Sequence, residues 1–406
     1  MDEKGNMSED TAHEQRTIPF SRPWIGEEEI AEVVDTLRSG WLTTGPKTKA
    51  FEAEFAAYIG CKHAVAVNSC TAALHIALDA VGVVRDDIVI TTPMTFAATA
   101  EVIRYSGARP EFVDIEPSTL NISPELLEAK LAGMPAAELA RVKAVIPVHM
   151  AGWPCDMDPI LETASRYGIK VIEDAAHTLP ARYKGRMVGS ISDITAFSFY
   201  TTKCITTGEG GMAVTDDDGY AEKMRMMSLH GISKDAWKRY TKEGSWYYEV
   251  VYPGYKYNMP DVAGALGLQQ LRKADRFLDM RTSQAAVYND AFAGMDEIET
   301  PGTSPEVLHS WHLYIIKLNL DRLRIDRADF IEKLREKGVY ASVHFMPLHM
   351  HPYYRDTYGY VPDDFPVAAA AFSRILSLPF YASMTDDDQR YVIRAVRSVV
   401  EEYRAG

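Results

Sequence analysis

The stretch H-A-V-A-V-N-S-C-T-A-A-L-H, from His63 to His75, sets the pattern for the chain. H-A-V-A-V is an apolar run of strand length. N-S-C-T then supplies the small polar residues that open a helix, and the helix runs on from Thr71. Working outward, the same alternation recurs: strand D-I-V-I-T-T, helix from Phe96, strand E-F-V-D-I, helix near Pro124, strand K-A-V-I-P-V-H, helix from Asp156, strand K-V-I-E-D. Near-continuous apolar strands separated by helices predict a mostly parallel sheet covered on both faces, an α/β fold. Ligands of such sheets sit beyond the carboxyl ends of the strands.

Before this core, residues 1–17 read as a disordered segment, Glu27 to Gly40 as an amphipathic helix, and Lys47 to Ile59 as a second helix. After it, a helix runs from Asp217 to about His230. A Trp/Tyr-rich loop follows, with Trp237, Trp246, Tyr247 and Tyr248. The rest predicts a smaller α+β unit: strand W-H-L-Y-I-I-K-L, helix Arg327 to Lys337, strand V-Y-A-S-V-H-F and a helix from about Asp386. The expected division is a large domain over 18–260 and a small C-terminal domain over 261–406.

Composition sets limits. The 406 residues allow two domains, and 47% hydrophobic with 25% charged residues is ordinary for a globular protein. A net charge of −14 argues against nucleic acid or an anionic membrane as a partner. Four scattered cysteines without a C-x-x-C pair, and no apolar leader or spanning run, predict a soluble protein of the cytoplasm. H-M-H at His349–His351 lacks a further ligand cluster, so no metal is expected. No G-x-G-x-x-G follows the first strand, which disfavours a dinucleotide site.

Five positions after strands carry chemistry. Ser69, Cys70 and Thr71 open a helix, where free amides and hydroxyls receive phosphate, or where Ser69 or Thr71 simply caps. Phe96 could cover a ring or fill core. Asp174, at the end of K-V-I-E-D with His177 nearby, could hold a protonated ring nitrogen or cap a helix. I-T-A-F-S-F-Y-T-T-K-C-I-T-T-G (Ile194–Gly208) delivers Ser198 and then Lys203, its one charged residue. A lysine so desolvated is either an amine nucleophile forming an imine with an aldehyde, or a buried stem whose head reaches water. Phosphate, ring nitrogen and aldehyde are the three handles of pyridoxal 5'-phosphate (PLP), and the chain offers a partner for each on one sheet edge.

N-S-C-T-A-A-L-H, T-P-M-T-F, P-V-H-M-A-G, I-E-D-A-A-H, S-F-Y-T-T-K-C-I-T-T-G-E-G-G-M-A-V-T and G-Y-K-Y-N-M-P-D-V-A-G-A-L-G-L-Q-Q-L closely resemble the DegT/DnrJ/StrS family of PLP-dependent sugar-nucleotide aminotransferases, from about Pro19 onward. The resemblance implies a fold-type-I transferase and a homodimer with shared active sites. In it Lys203 matches the lysine that binds the cofactor, Asp174 the pyridine-nitrogen aspartate and His177 the residue near the ring hydroxyl. Phe96 matches the stacking aromatic, and Ser69, Cys70 and Ser198 the phosphate contacts. Lys256 falls where many members carry an asparagine that reaches the neighbouring subunit's cofactor phosphate.

The implied reaction moves an amino group from L-glutamate, leaving 2-oxoglutarate, to the C4 ketone of a nucleotide-linked keto sugar. The pattern most resembles enzymes acting on UDP-sugars, with GDP-4-keto-6-deoxymannose as the alternative acceptor, in the biosynthesis of cell-surface polysaccharide such as lipopolysaccharide. Thr44 and His344 are expected sugar contacts; Trp24, Trp311 and Tyr314 read equally as core. A sugar 3-dehydratase of the same scaffold has histidine in place of the lysine, so Lys203 argues against it. A PLP-binding protein without transaminase activity is the remaining alternative.

Overall fold

The computed structural model describes residues 16–232 and 248–405. Most of the N-terminal segment, and Trp237, Trp246 and Tyr247 of the aromatic loop, lie outside the described residues.

The central sheet is built from β1 (His63–Val67), β2 (Ile88–Thr91), β3 (Arg109–Phe112), β4 (Val142–Ile146) and β5 (Lys170–Asp174), which alternate with helices. A small hairpin follows, β6 (Arg182–Tyr183) and β7 (Arg186–Met187), then β8 (Ile194–Ser198) and β9 (Gly211–Thr215). The sheet order is β1-β9-β8-β5-β4-β2-β3. β9 runs antiparallel to both its neighbours, and the remaining pairs are parallel. Strand burial is almost complete because helices cover both faces. Cys70–Ala80, Ala97–Tyr105 and Asp218–Ser228 carry one apolar cluster, and Pro124–Gly133 and Met157–Tyr167 another. Each fully buried Val or Ile in such a sheet contributes about 1.5–3 kcal/mol by leaving water.

Helix Asp261–Leu271, placed by sequence at the start of the small domain, packs on Glu27–Ser39 and Pro46–Ile59. Two of its glycines permit this close approach: a Cβ on Gly264 would sit 2.8 Å from the Thr48 backbone, and one on Gly267 2.6 Å from the Phe51 ring. The long helix Ala274–Phe292 then leads to β10 (Ile298–Glu299), β11 (Val307–Leu308), β12 (Tyr314–Leu318) and β13 (Ile375–Leu378). β12 is the centre of a small antiparallel sheet between β10 and β13, whereas β11 pairs back onto β6. The second core forms here, around Tyr288, Tyr314, Phe292 and Phe330 with the helix Asp386–Tyr403.

Two expectations need correction. Residues 339–345 form no strand, only single bridges from Val339 to Ile18 and from Ser342 to Ser377. The third strand of the small sheet is instead Ile375–Leu378, a fully buried I-L-S-L run. Its backbone takes the β12 partners that 339–345 would have needed. Strand 143–149 stops at Ile146, where Pro147 has no N–H to give to the ladder.

Candidate active site

The end of β1 turns directly into helix Cys70–Ala80. Ser69 is extended, and its Oγ accepts the Ala72 N–H at 3.0 Å, so it caps the helix. Capping leaves the Cys70 and Thr71 N–H groups in the first turn with no partner among the described residues, as first-turn amides are. Gly211 makes the site possible, because a Cβ there would sit 2.4 Å from the Ser69 carbonyl and 2.6 Å from the Cys70 nitrogen. Capping and phosphate reception therefore coexist at this helix start.

β5 delivers Glu173 and Asp174 to opposite faces, as neighbours on a strand must be. Asp174 Oδ2 accepts from the Thr99 hydroxyl at 2.7 Å, which itself pairs with Thr95, and Oδ1 accepts from the Ala176 N–H at 3.1 Å. Burial pushes the Asp174 carboxyl above its usual range, opposed by those two bonds and by the charge of Lys203. A cation placed against it would favour the ionised form further.

Three residues after Asp174, the Nδ1 of His177 accepts the Ala151 N–H at 3.2 Å. Ala151 holds the left-handed conformation (φ 58°). With Nδ1 accepting, the neutral ring carries its hydrogen on Nε2. The ring packs against His312 at 4.5 Å and stacks on Phe345 at 5.8 Å. Burial, and then the nearby Lys203 charge, push His177 well below the usual range; the same causes lower His344 to about 4. The imidazoles around this site are therefore neutral.

After β8, residues 199–210 form a tight loop closed by Phe199 N–H to the Gly210 carbonyl and Thr207 N–H to the Phe199 carbonyl, at 2.9 and 3.0 Å. Lys203 projects from it, held at its backbone by the Tyr200 carbonyl at 2.8 Å. Enclosure by protein lowers its amine pKa, against the raising influence of acidic groups such as Asp174.

These side chains line one cavity of about 320 Å³. Ser69, Cys70 and Thr71 form its helix-start wall, and Asp174, His177, Ser198 and Lys203 come from the β5 and β8 ends. Phe96, 63% exposed, and His344 line it from elsewhere. Thr44 is not among the lining residues: its hydroxyl donates to the Met259 carbonyl at 2.5 Å and accepts from Asn258 at 2.7 Å. Lys256 also lies outside the cavity of its own chain and is exposed.

Sequence reasoning missed Thr99, His312 and Phe345. The hydroxyl-rich T-P-M-T-F-A-A-T held a signal for Thr99. His312 had none, since it comes from the entry to β12 in the other core. Cys70 is enclosed, which raises its thiol well above the usual range and keeps it neutral.

The DegT/DnrJ/EryC1/StrS aminotransferase family model matches residues 23–397. The chain belongs to this family. It is 51% identical to the spore coat polysaccharide biosynthesis protein SpsC of Bacillus subtilis, over 95% of this chain and 97% of that one. It is 52% identical to an uncharacterized protein, MJ1066, of Methanocaldococcus jannaschii, over 95% and 98%. Among solved structures, the sugar aminotransferase Spr1654 of Streptococcus pneumoniae in its PMP form superposes with TM-score 0.88 at 36% identity, covering 95% of this chain and 99% of that one; the PLP form gives 0.87 at 35%. The protein is therefore a fold-type-I, PLP-dependent sugar aminotransferase.

The cavity fits that cofactor. It has the volume of a small-ligand site, a helix start with two unpartnered amides for a phosphate, and a buried carboxylate for the ring nitrogen. It also has a neutral Nε2–H donor at His177 and a deprotonation-prone amine at Lys203. Among the described residues no helix is long and apolar enough to cross a membrane, and no group of three or more His, Cys, Asp or Glu could hold a metal ion.

Proposed function

We propose that the protein transfers an amino group from L-glutamate to the C4 ketone of a UDP-linked keto sugar, as a cytoplasmic homodimer serving cell-surface polysaccharide synthesis. The observation that carries this reading is the convergence of Ser69–Thr71, Asp174, His177, Ser198 and Lys203 on one cavity. SpsC, by its name a spore coat polysaccharide biosynthesis protein, supports the glycan setting. PseC of Helicobacter pylori, an aminotransferase in pseudoaminic acid biosynthesis (TM-score 0.86, 27% identity, covering 95% of this chain and 100% of that one), supports a sugar acceptor.

When bound, PLP supplies an aldehyde that exchanges amines and a ring that accepts electrons from the carbon losing its proton. The chain supplies the rest. Ser69, Cys70, Thr71 and Ser198 hold the phosphate, joined by the partner subunit's Lys256. Asp174, kept ionised by Thr99, Ala176 and the ring cation, holds the ring nitrogen protonated. His177 would donate from Nε2 to the ring hydroxyl, and exposed Phe96 would cover the ring. Lys203, with its amine pKa lowered by enclosure, would hold the aldehyde until the amino donor arrives. It then moves the proton between the donor Cα and the cofactor C4′, work worth roughly 10²–10⁴-fold in rate. The same groups would serve transfer to the sugar ketone, and His344 would face that substrate.

Visible absorbance of purified protein tests this. L-glutamate should bleach the cofactor band, and one UDP-4-keto sugar should restore it. Restoration by GDP-4-keto-6-deoxymannose alone would replace the nucleotide. A band deaf to every amino donor would leave a PLP-binding protein without transaminase activity.

A further inference from the structure

A second, smaller chamber lies behind Lys203, lined by residues of the segment 21–24, the lysine loop, the helix Ala274–Phe292 and the turn after β13. Lys203, Thr202 and His312 line both this chamber and the cofactor cavity, so they form the wall between them. Its chemistry is unusual for a protein of net charge −14. Two of its lining residues are guanidinium cations, Arg22 and Arg281, and none is Asp or Glu.

Arg281 is the telling residue. It is only 5% exposed. Its Nη2 donates to the Cys204 carbonyl at 2.6 Å, but its Nη1 has no hydrogen-bond partner, and no carboxylate pairs with it among the described residues. A buried guanidinium is normally satisfied by an anion, because leaving it unpaired carries a large desolvation penalty. The other lining guanidinium, Arg22, is exposed, and the Lys203 amine serves the cofactor cavity.

We propose that this chamber is an anion site in which Arg281 pairs with a small monovalent anion, a halide ion or a single carboxylate group. The free volume, about 20 Å³, holds one or two water-sized occupants and excludes a phosphate ester or a whole amino acid. Thr202 offers a hydroxyl to the same occupant. Because Arg281 also grips the carbonyl next to Lys203, occupancy is linked to how firmly the lysine loop is held. The site is distinct from the phosphate contacts at Ser69–Thr71, which line only the larger cavity.

Bromide is the probe. Holoenzyme crystals soaked in sodium bromide should show an anomalous peak beside Arg281, and an Arg281→Met variant should lose it. In solution, the chloride-35 NMR line should broaden with wild-type holoenzyme at least twofold more than with Arg281→Met. Should that variant fail to fold, Arg281→Lys keeps the charge and should retain a weaker peak. Adding acetate to the bromide soak separates the two sources. Loss of the peak assigns the site to a carboxylate, and persistence assigns it to a halide, either of which supports the proposal. A chamber that gives no anomalous signal and equal line widths for wild type and variant holds water only, and the proposal fails.

Discussion

The two acids that end β5 are neighbours in sequence and occupy opposite kinds of surroundings. Glu173 points into a closed polar core. Its Oε2 pairs with His149 at 2.8 Å, and its Oε1 accepts from Ser192 and Thr195 at 2.7 and 2.9 Å. Thr195 can reach it because the β5–β8 register sets the two residues directly opposite. His149 is fixed in turn by the Cys155 N–H, so its Nε2 is the donor to Glu173. Asp174 faces the open cavity with two protein donors and room for a third partner. Burial acts on both carboxyls to raise them. For Glu173 the three-partner network overcomes burial and lowers the carboxyl, whereas for Asp174 burial prevails. The lesson is that a structural acid is satisfied by the fold, while a functional acid is left short of one cation that the ligand brings.

That contrast can be broken from either side. The largest effect is expected in the open region: Lys203→Ala should lower turnover roughly 10²–10⁴-fold or more, measured with saturating donor and acceptor, with little change in melting temperature. Next comes the closed region. Glu173→Ala should destabilise the fold by about 3 kcal/mol in denaturant titration, since it strips a buried network of its anion. The wild-type network should also leave a pH signature. A carboxyl lowered in the folded state stabilises fully above the unfolded value near 4.3, and this is lost as pH falls through that value and then through the lower folded one. Glu173→Ala should therefore show a shallower acid limb of stability than wild type.

A third change tests the missing cation. Asp174→Asn should leave stability nearly unchanged but reduce turnover and weaken PLP retention by roughly 10–100-fold, the worth of a charged hydrogen bond. If it destabilised the fold as strongly as Glu173→Ala, the distinction between the two acids would collapse. The smallest effect is at the helix start: Ser69→Ala should cost about 1 kcal/mol through the lost cap, with a modest rise in the PLP dissociation constant.

Much of this was legible in the sequence, for physical reasons that differ by region. Apolar runs such as H-A-V-A-V and K-V-I-E-D are buried on both faces, so their composition alone marks them as central strands. The chemistry then falls on the residues just after them, which led to Asp174, Ser198 and Lys203. The small unit was harder. V-Y-A-S-V-H-F has every local mark of a strand yet forms only bridges, because I-L-S-L, distant in sequence, takes the β12 edge. Side chains that enter the cavity through tertiary packing also left no local trace. His312 arrives from the second core, and Ala151 must adopt a left-handed backbone to offer its N–H to His177. Thr44, an expected sugar contact, has its hydroxyl bound by Met259 and Asn258.

Lys203 is the residue that would hold the cofactor aldehyde, and the rest of the site is arranged around it. Borohydride reduction of the PLP-loaded protein, followed by peptide mass spectrometry, tests this most directly. The expected result is one phosphopyridoxyl group per chain, on the peptide containing Lys203, absent from Lys203→Ala. A label on another lysine, or none on a protein that retains PLP, would contradict it.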